Sequence, residues 1–158
     1  MYRNIFLSLF CEHDVDRLFE IQSDESSARM RQARMIAESP VQVKDWLLSR
    51  SDFQSSTNFC LAIREVGSWK ILGYVTIKVF GSDSTIGELG IVLHFLKREG
   101  VGSLALNLLE SFSKKQFGYQ KLVALVSLEN SAGKAFFQKN GYNEVSETNE
   151  YTLFQKHL

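Results

Sequence analysis

From Ile91 to Ser103 the chain reads Ile-Val-Leu-His-Phe-Leu-Lys-Arg-Glu-Gly-Val-Gly-Ser. An apolar run leads into a short basic loop, and two glycines open a long amphipathic stretch. The pattern reads as strand, loop and first helical turn. A helix start leaves backbone N–H groups without intrahelical partners and carries a partial positive charge. Glycine removes the Cβ that would hold a ligand off the backbone, and Lys97 and Arg98 add charge. Lys97, Arg98, Gly100, Val101, Gly102 and Ser103 are therefore candidates for holding a phosphate or pyrophosphate. Taken alone, Gly-x-Gly serves a tight turn equally well. A Walker A loop is absent. The dinucleotide fingerprint fits poorly: Ala105 could stand for its third glycine, but the preceding strand is the fourth in the chain. No acid follows Leu122–Val126 until Glu129.

A second run, Asn130 to Tyr142, opens on a polar cap, continues as a two-turn helix and ends at Gly-aromatic. A third feature is Glu88, within Gly87-Glu88-Leu89-Gly90. It is a carboxylate midway along an apolar strand, read either as a salt-bridged strand residue or as a general base.

The elements that must position these residues follow from periodicity. Asn4–Phe10 reads as a strand. Asp14 and Asp16 open a helix with Val15, Leu18 and Phe19 on one face. Asp24–Glu38 reads as helical, and Ser39-Pro40 starts another helix through Val43, Trp46 and Leu47. Asn58–Val66 and Lys70–Phe80 form a hairpin, Gly81–Ser84 a turn, and Thr85–Leu93 the next strand. Val101, Leu104, Ala105, Leu108, Leu109 and Phe112 fall at helical spacing, with Asn107, Glu110, Lys114 and Lys115 opposite. Gly118 ends that helix. Leu122–Val126 reads as a buried strand. Ser131–Asn140 follows as a helix with Ala132, Ala135 and Phe136 inward. Strands near Tyr142–Glu147 and Glu150–Lys156 come last. The expectation is one domain over residues 1–158 with an α/β (α+β mixed) fold. The strand–helix–strand unit should be a parallel crossover, and the earlier strands antiparallel hairpins.

Composition narrows the function. Lys plus Arg and Asp plus Glu number 18 each, so no basic excess points to nucleic acid. No apolar stretch of about 20 residues points to a membrane span. Cys11 and Cys60 are too few and too far apart for a disulfide framework or a zinc site. Both read as buried small hydrophobes in a reducing compartment, and the protein as soluble and cytoplasmic. His13, His94 and His157 lack ligand spacing, so no metal is expected. His94 reads as solvent-exposed before a contact to the loop's ligand, Arg29, Arg31 and Arg34 as a solvated helical face before a contact to an acidic ligand, and Trp46 as core before a pocket wall.

With both runs quoted, the chain resembles the GNAT superfamily of N-acetyltransferases, whose cofactor motif is Arg/Gln-x-x-Gly-x-Gly/Ala at a strand-to-helix junction. Here Lys97-Arg98-Glu99-Gly100-Val101-Gly102 holds that place, with Lys lacking Arg's fork. Asn130 and Gly141-Tyr142 match the family's later element in type and spacing. The N-terminal half matches in element order, and is similar to the branch that acetylates ribosomal-protein N-termini, amino sugars and small amines. The resemblance implies a mixed, mostly antiparallel sheet, splayed between strands 4 and 5, with helices on both faces. It implies acetyl-CoA as co-substrate, its arm paired with backbone of Ile91, Val92 and Leu93. Asn130 would bond the arm and Phe137 pack on it. The acceptor would be a primary amine attacking the thioester directly, with Glu88 as base and a backbone N–H near Val92 or Leu93 for the oxyanion.

The chain departs from the family at the group that protonates the leaving thiolate. The usual Tyr is Phe137, and the Ser used by the N-terminus-acetylating branch is Gly133. Ser131 and Tyr142 are the substitutes at hand. Two rival readings stay open: a non-catalytic CoA-binding regulatory module, and a nucleotide-binding protein using the same glycine loop. Acceptor identity and oligomeric state are not legible; a homodimer is the commonest oligomer.

Overall fold

The computed structural model describes residues 4–24, 37–48, 58–94 and 100–158. Most of the helix expected over Asp24–Glu38, with Arg29, Arg31 and Arg34, lies outside the described residues, as do Lys97 and Arg98. The chain runs β1 (Ile5–Ser8), a 3-10 turn (Glu12–Asp14), α1 (Val15–Ser23), α2 (Pro40–Leu48), β2 (Asn58–Glu65), β3 (Ile71–Phe80), β4 (Asp83–Leu93), α3 (Val101–Phe117), β5 (Lys121–Ser127), α4 (Ser131–Lys139), β6 (Asn143–Glu147) and β7 (Tyr151–His157). Among the described residues, seven strands make one sheet in the order β1-β2-β3-β4-β5-β7-β6, and of these only β4 and β5 pair in parallel, joined by α3. The mixed sheet with helices on both faces is the architecture the sequence implied.

Each face has its own core. Leu61, Ile63, Val75, Ile77, Leu89, Leu122, Ala124 and Phe154 meet Ala105, Leu106 and Leu109 of α3 and Phe137 of α4. Cys60, Ala62, Tyr74 and Val92 meet Leu18 and Ile21 of α1 and Val43 and Leu47 of α2. Trp46 packs edge-on to Tyr74 at 5.7 Å between centroids. The start of α2 is capped as its sequence predicts, with the Gln42 N–H donating to Ser39 Oγ at 3.3 Å.

Several local expectations are corrected. β4 begins two residues earlier than the turn signal suggests, at Asp83. In α3, Leu104 and Leu108 are exposed, while Leu106 and Ser113 are buried. The helix carries more apolar residues than one face holds, and Gly102, lacking a side chain, is the position pressed inward; the stripe through Ala105, Leu106, Leu109 and Ser113 follows from it. Glu110, expected outside, is partly buried and bonds Lys156 Nζ through both oxygens at 3.0 Å. In α4, Ala132 and Ala135 are exposed and Phe137 is the buried residue. Cys11 is exposed, so only Cys60 fits the expected pattern.

Polar groups pin the sheet edge to α1. Arg64 on β2 pairs with Asp14, donates from Nε to Ser8 Oγ at 2.8 Å and from Nη1 to Trp69 O at 3.2 Å. Asp14 Oδ2 also accepts from the Cys11 N–H at 2.8 Å. Burial pushes the Asp14 carboxyl up, but the bonds from Arg64 and Cys11 outweigh it and hold it below the usual range. A depressed folded pKa stabilises above the unfolded pKa, about 3.9 for Asp, and that stabilisation is lost as pH falls through the folded value. Asp14→Ala leaves Arg64 buried and uncompensated. Urea unfolding at pH 7 should show a loss of about 3 kcal/mol, and the gap from wild type should shrink below about pH 4.

Candidate functional site

The wedge between β4 and β5 is the central feature of the site. The two strands pair at Ile86–Lys121, Gly87–Leu122 and Glu88–Val123. Beyond Glu88, β4 continues beside β3 and β5 beside β7, with no pairing across the gap among the described residues. Extending the register sets Val92 level with Ser127 and Leu93 level with Leu128. The His94 N–H donates to Leu72 O at 3.0 Å. Peptide groups alternate along a strand, so those of Val92 turn to β3 and those of Ile91 and Leu93 turn into the wedge. Three consecutive residues cannot all present backbone to one edge, and the sequence reading of Ile91, Val92 and Leu93 as a block is corrected to the outer two.

The wedge opens toward the start of α3. Gly100 is its N-cap in the left-handed region, φ 75°, and among the described residues no side chain caps the helix. The first intrahelical bond is Leu104 N–H to Gly100 O at 3.2 Å. The N–H groups of Val101, Gly102 and Ser103 therefore precede the helical ladder. Gly102 is buried, and a Cβ there would lie 2.9 Å from Phe136 Cε2 and 3.3 Å from Leu93 Cδ1. Its lack of a side chain thus brings α3, α4 and β4 together, a packing role the sequence did not separate from ligand approach.

Glu88 sits at the closed end of the wedge. By alternation it shares a face with Gly90 and Val92, the face covered by α1 and α2. Its partly buried carboxylate lies 3.5 Å from the half-exposed Lys78 Nζ. Thr76 Oγ1 covers Gly90, 2.6 Å from where a Cβ would be. Sequence reasoning missed Lys78 and Thr76. A bulge between Val79 and Phe80 shifts the hairpin register, so counting back from the Gly81 turn does not place them opposite Glu88 and Gly90.

Across the wedge, the Asn130 N–H donates to Ser127 O at 2.9 Å and its Oδ1 accepts the Gly133 N–H at 2.8 Å, capping α4. Ser131 is exposed. Phe137 is a core residue, 5.2 Å from the Tyr142 ring and 6.1 Å from Phe154 between centroids. Tyr142 is buried, and its hydroxyl donates to Glu110 Oε1 at 3.1 Å. Burial, then the Glu110 charge and hydrogen bond, push its ionisation far above the ordinary range. His94 is buried, not solvent-exposed. Burial and the Arg17 charge lower its pKa, against the pull of Asp24 and Glu20. Among the described residues no three His, Cys, Asp or Glu converge as a metal site, and no helix is long and apolar enough to cross a membrane.

Residues 4–143 match the family model of the acetyltransferase (GNAT) domain. A search of curated proteins found no match. Among solved structures, a domain from Methanocaldococcus jannaschii superimposes with TM-score 0.81 at 17% identity, covering 99% of each chain. A GNAT-family acetyltransferase from Bacillus anthracis gives 0.77 at 14%, covering 100% of this chain and 98% of its own. Spermidine N-acetyltransferase from Vibrio cholerae, solved with CoA and spermine, gives 0.81 at 10%, covering 98% and 94%. At these identities the likeness is one of fold.

The two glycines should separate by mechanism. Gly100→Ala meets no atom of the described residues within 4 Å and should cost its positive φ, about 1 kcal/mol. Gly102→Val drives two methyls into Phe136 and Leu93 and should cost about 2 kcal/mol or more. Thermal and urea denaturation of the two variants measure the difference.

Proposed function

The chain belongs to the GNAT acetyltransferase family, and on that premise we propose that it moves the acetyl group of acetyl-CoA to a primary amine by direct attack in a ternary complex. The acceptor class is a peptide N-terminus, an amino sugar or another small amine. The observation that carries this reading is the wedge: two parallel strands that part after Glu88–Val123, with a helix start at its open end that no described side chain caps.

The residues present fit acetyl-CoA. The N–H groups of Val101, Gly102 and Ser103, with Lys97 and Arg98, would hold the pyrophosphate against a partial positive charge. Ile91 and Leu93 would pair with the pantetheine amides, a strand addition to the free edge of β4. Asn130 would bond the arm from the β5 side. Phe137 supports this wall from within the core. The co-substrate supplies an activated acyl group, and the chain supplies position, charge and proton acceptance.

An ammonium ion is not nucleophilic, so the acceptor must lose a proton. Glu88, on the α1/α2 face, takes it through a chain of waters. The wedge-facing N–H of Leu93 donates to the developing oxyanion. Ser131 is exposed and free to approach the leaving group, whereas the Tyr142 hydroxyl is committed to Glu110.

Calorimetry with acetyl-CoA tests the binding half. Ser103→Asp places a carboxylate in the first turn of α3, where it favours the helix and repels pyrophosphate. Its stability should match or exceed wild type while acetyl-CoA affinity falls at least about tenfold. No binding by folded wild type would sink the acetyltransferase reading. Free-thiol release with a panel of amines tests the chemistry. Glu88→Gln should lower kcat by about 10²-fold or more and leave acetyl-CoA binding unchanged. Binding without thiol release for any amine would favour a regulatory CoA-binding module instead.

A further inference from the structure

The resemblance sets Phe137 where the family often has Tyr and Gly133 where one branch has Ser, so neither residue would serve the leaving sulfur of the proposed reaction. We infer that the Asn130 carboxamide fills this role, its Nδ2–H donating to the departing thiolate from the space that Gly133 leaves open. The inference rests on the acetyl-CoA reading above and assigns the contact made at the sulfur.

The amide orientation is fixed locally. Oδ1 accepts the Gly133 N–H at 2.8 Å, so Nδ2 is the opposite end of the group. Among the described residues no hydrogen bond engages Nδ2. An ideal Cβ on Gly133 would lie 2.5 Å from Asn130 Nδ2, 2.8 Å from its Cγ and 3.0 Å from Val126 Cγ1. A side chain at 133 and this placement of Asn130 are mutually exclusive. Gly133 thus gives up a hydroxyl and admits an amide to the same position.

The level along the wedge agrees. Leu93, whose N–H turns into the wedge, stands level with Leu128, and Asn130 hooks back to Ser127 O at 2.9 Å. A thioester carbonyl held at Leu93 therefore lies opposite the Asn130 side of the gap. The amine nitrogen forms its bond to the carbonyl carbon, and the carbonyl pair moves to oxygen. Collapse restores C=O and breaks C–S, and the pair leaves on sulfur. Glu88 holds the proton that the ammonium gives up before attack, and the second N–H proton, lost as the amide forms, passes to solvent. A carboxamide is too weak an acid to protonate sulfur, so Asn130 stabilises CoA as thiolate and solvent supplies the proton after release.

A donor to the thiolate lowers the thiol pKa of bound CoA. Thiolate ultraviolet absorbance of the protein–CoA complex against pH reads this directly. Wild type should hold the thiol about one unit or more below free CoA. Asn130→Ala should return it to the free value. Since that change also removes a helix cap, Gly133→Ala provides the second readout: its methyl displaces Nδ2, and the bound thiol pKa should rise likewise. An arm-holding role alone would weaken CoA binding and leave the thiol pKa equal in wild type and both variants, which overturns the inference. Failure of folded wild type to bind CoA at all overturns the reading beneath it, a result distinct from binding with an unshifted thiol.

Discussion

The site depends on how two parallel strands are held together at one end and kept apart at the other. Gly87 sits at the closed end, where a Cβ would lie 2.7 Å from the Tyr119 ring and 2.9 Å from Leu122 Cδ2. The aromatic ring and the leucine fill that space and lock β4 onto β5 for three pairs. Past that point each strand has a different neighbour on its other side, and each follows that neighbour's twist. β4 stays with β3, β5 with β7, and a backbone edge opens between them. An unpaired edge inside a sheet is unusual, because buried peptide groups need partners. On the proposed function, this edge is where a ligand with amides of its own would pair.

The two helices that start at the open end reinforce this geometry. α3 presses on α4 through Gly102 and Phe136, so the lips of the wedge are fixed relative to each other. On the opposite face, α1 and α2 cover the sheet beside Glu88. On the proposed function, donor and acceptor would approach the reacting centre from different sides of one sheet. The Glu110–Lys156–Tyr142 cluster, with Lys156 also bonded to Asn140 O at 3.1 Å, holds α3, the end of α4 and β7 in place behind the site.

Much of this was legible in the sequence where one residue type has one use. Asn130 at a cap, Gly118 after a helix, Ser39-Pro40 at a helix start and the apolar Leu122–Val126 run each specify a local conformation. Faces were less legible. Leu104, Ala105, Leu108 and Leu109 are all apolar, and only contact with Leu93 and Phe136 decides which side of α3 turns inward. Register was not legible: the Val79/Phe80 bulge moves Lys78 opposite Glu88. Nor was edge direction along β4, which sets Ile91 and Leu93 apart from Val92 and is fixed by one hydrogen bond far off in sequence, from His94 to Leu72. Tyr142 looked available for proton transfer because its partner, Glu110, lies on α3, 32 residues away in sequence.

The strand order has a kinetic consequence. β7 lies between β5 and β6, so β5 gains its second neighbour only from a segment after the final turn. Until Tyr151–His157 has been synthesised and docked, β5 presents a bare edge of apolar residues to any other chain. Bare edges of this kind recruit foreign strands. Folding must therefore wait for the last hairpin, and a nascent chain stalled before it would be a client for chaperones, not a smaller folded enzyme.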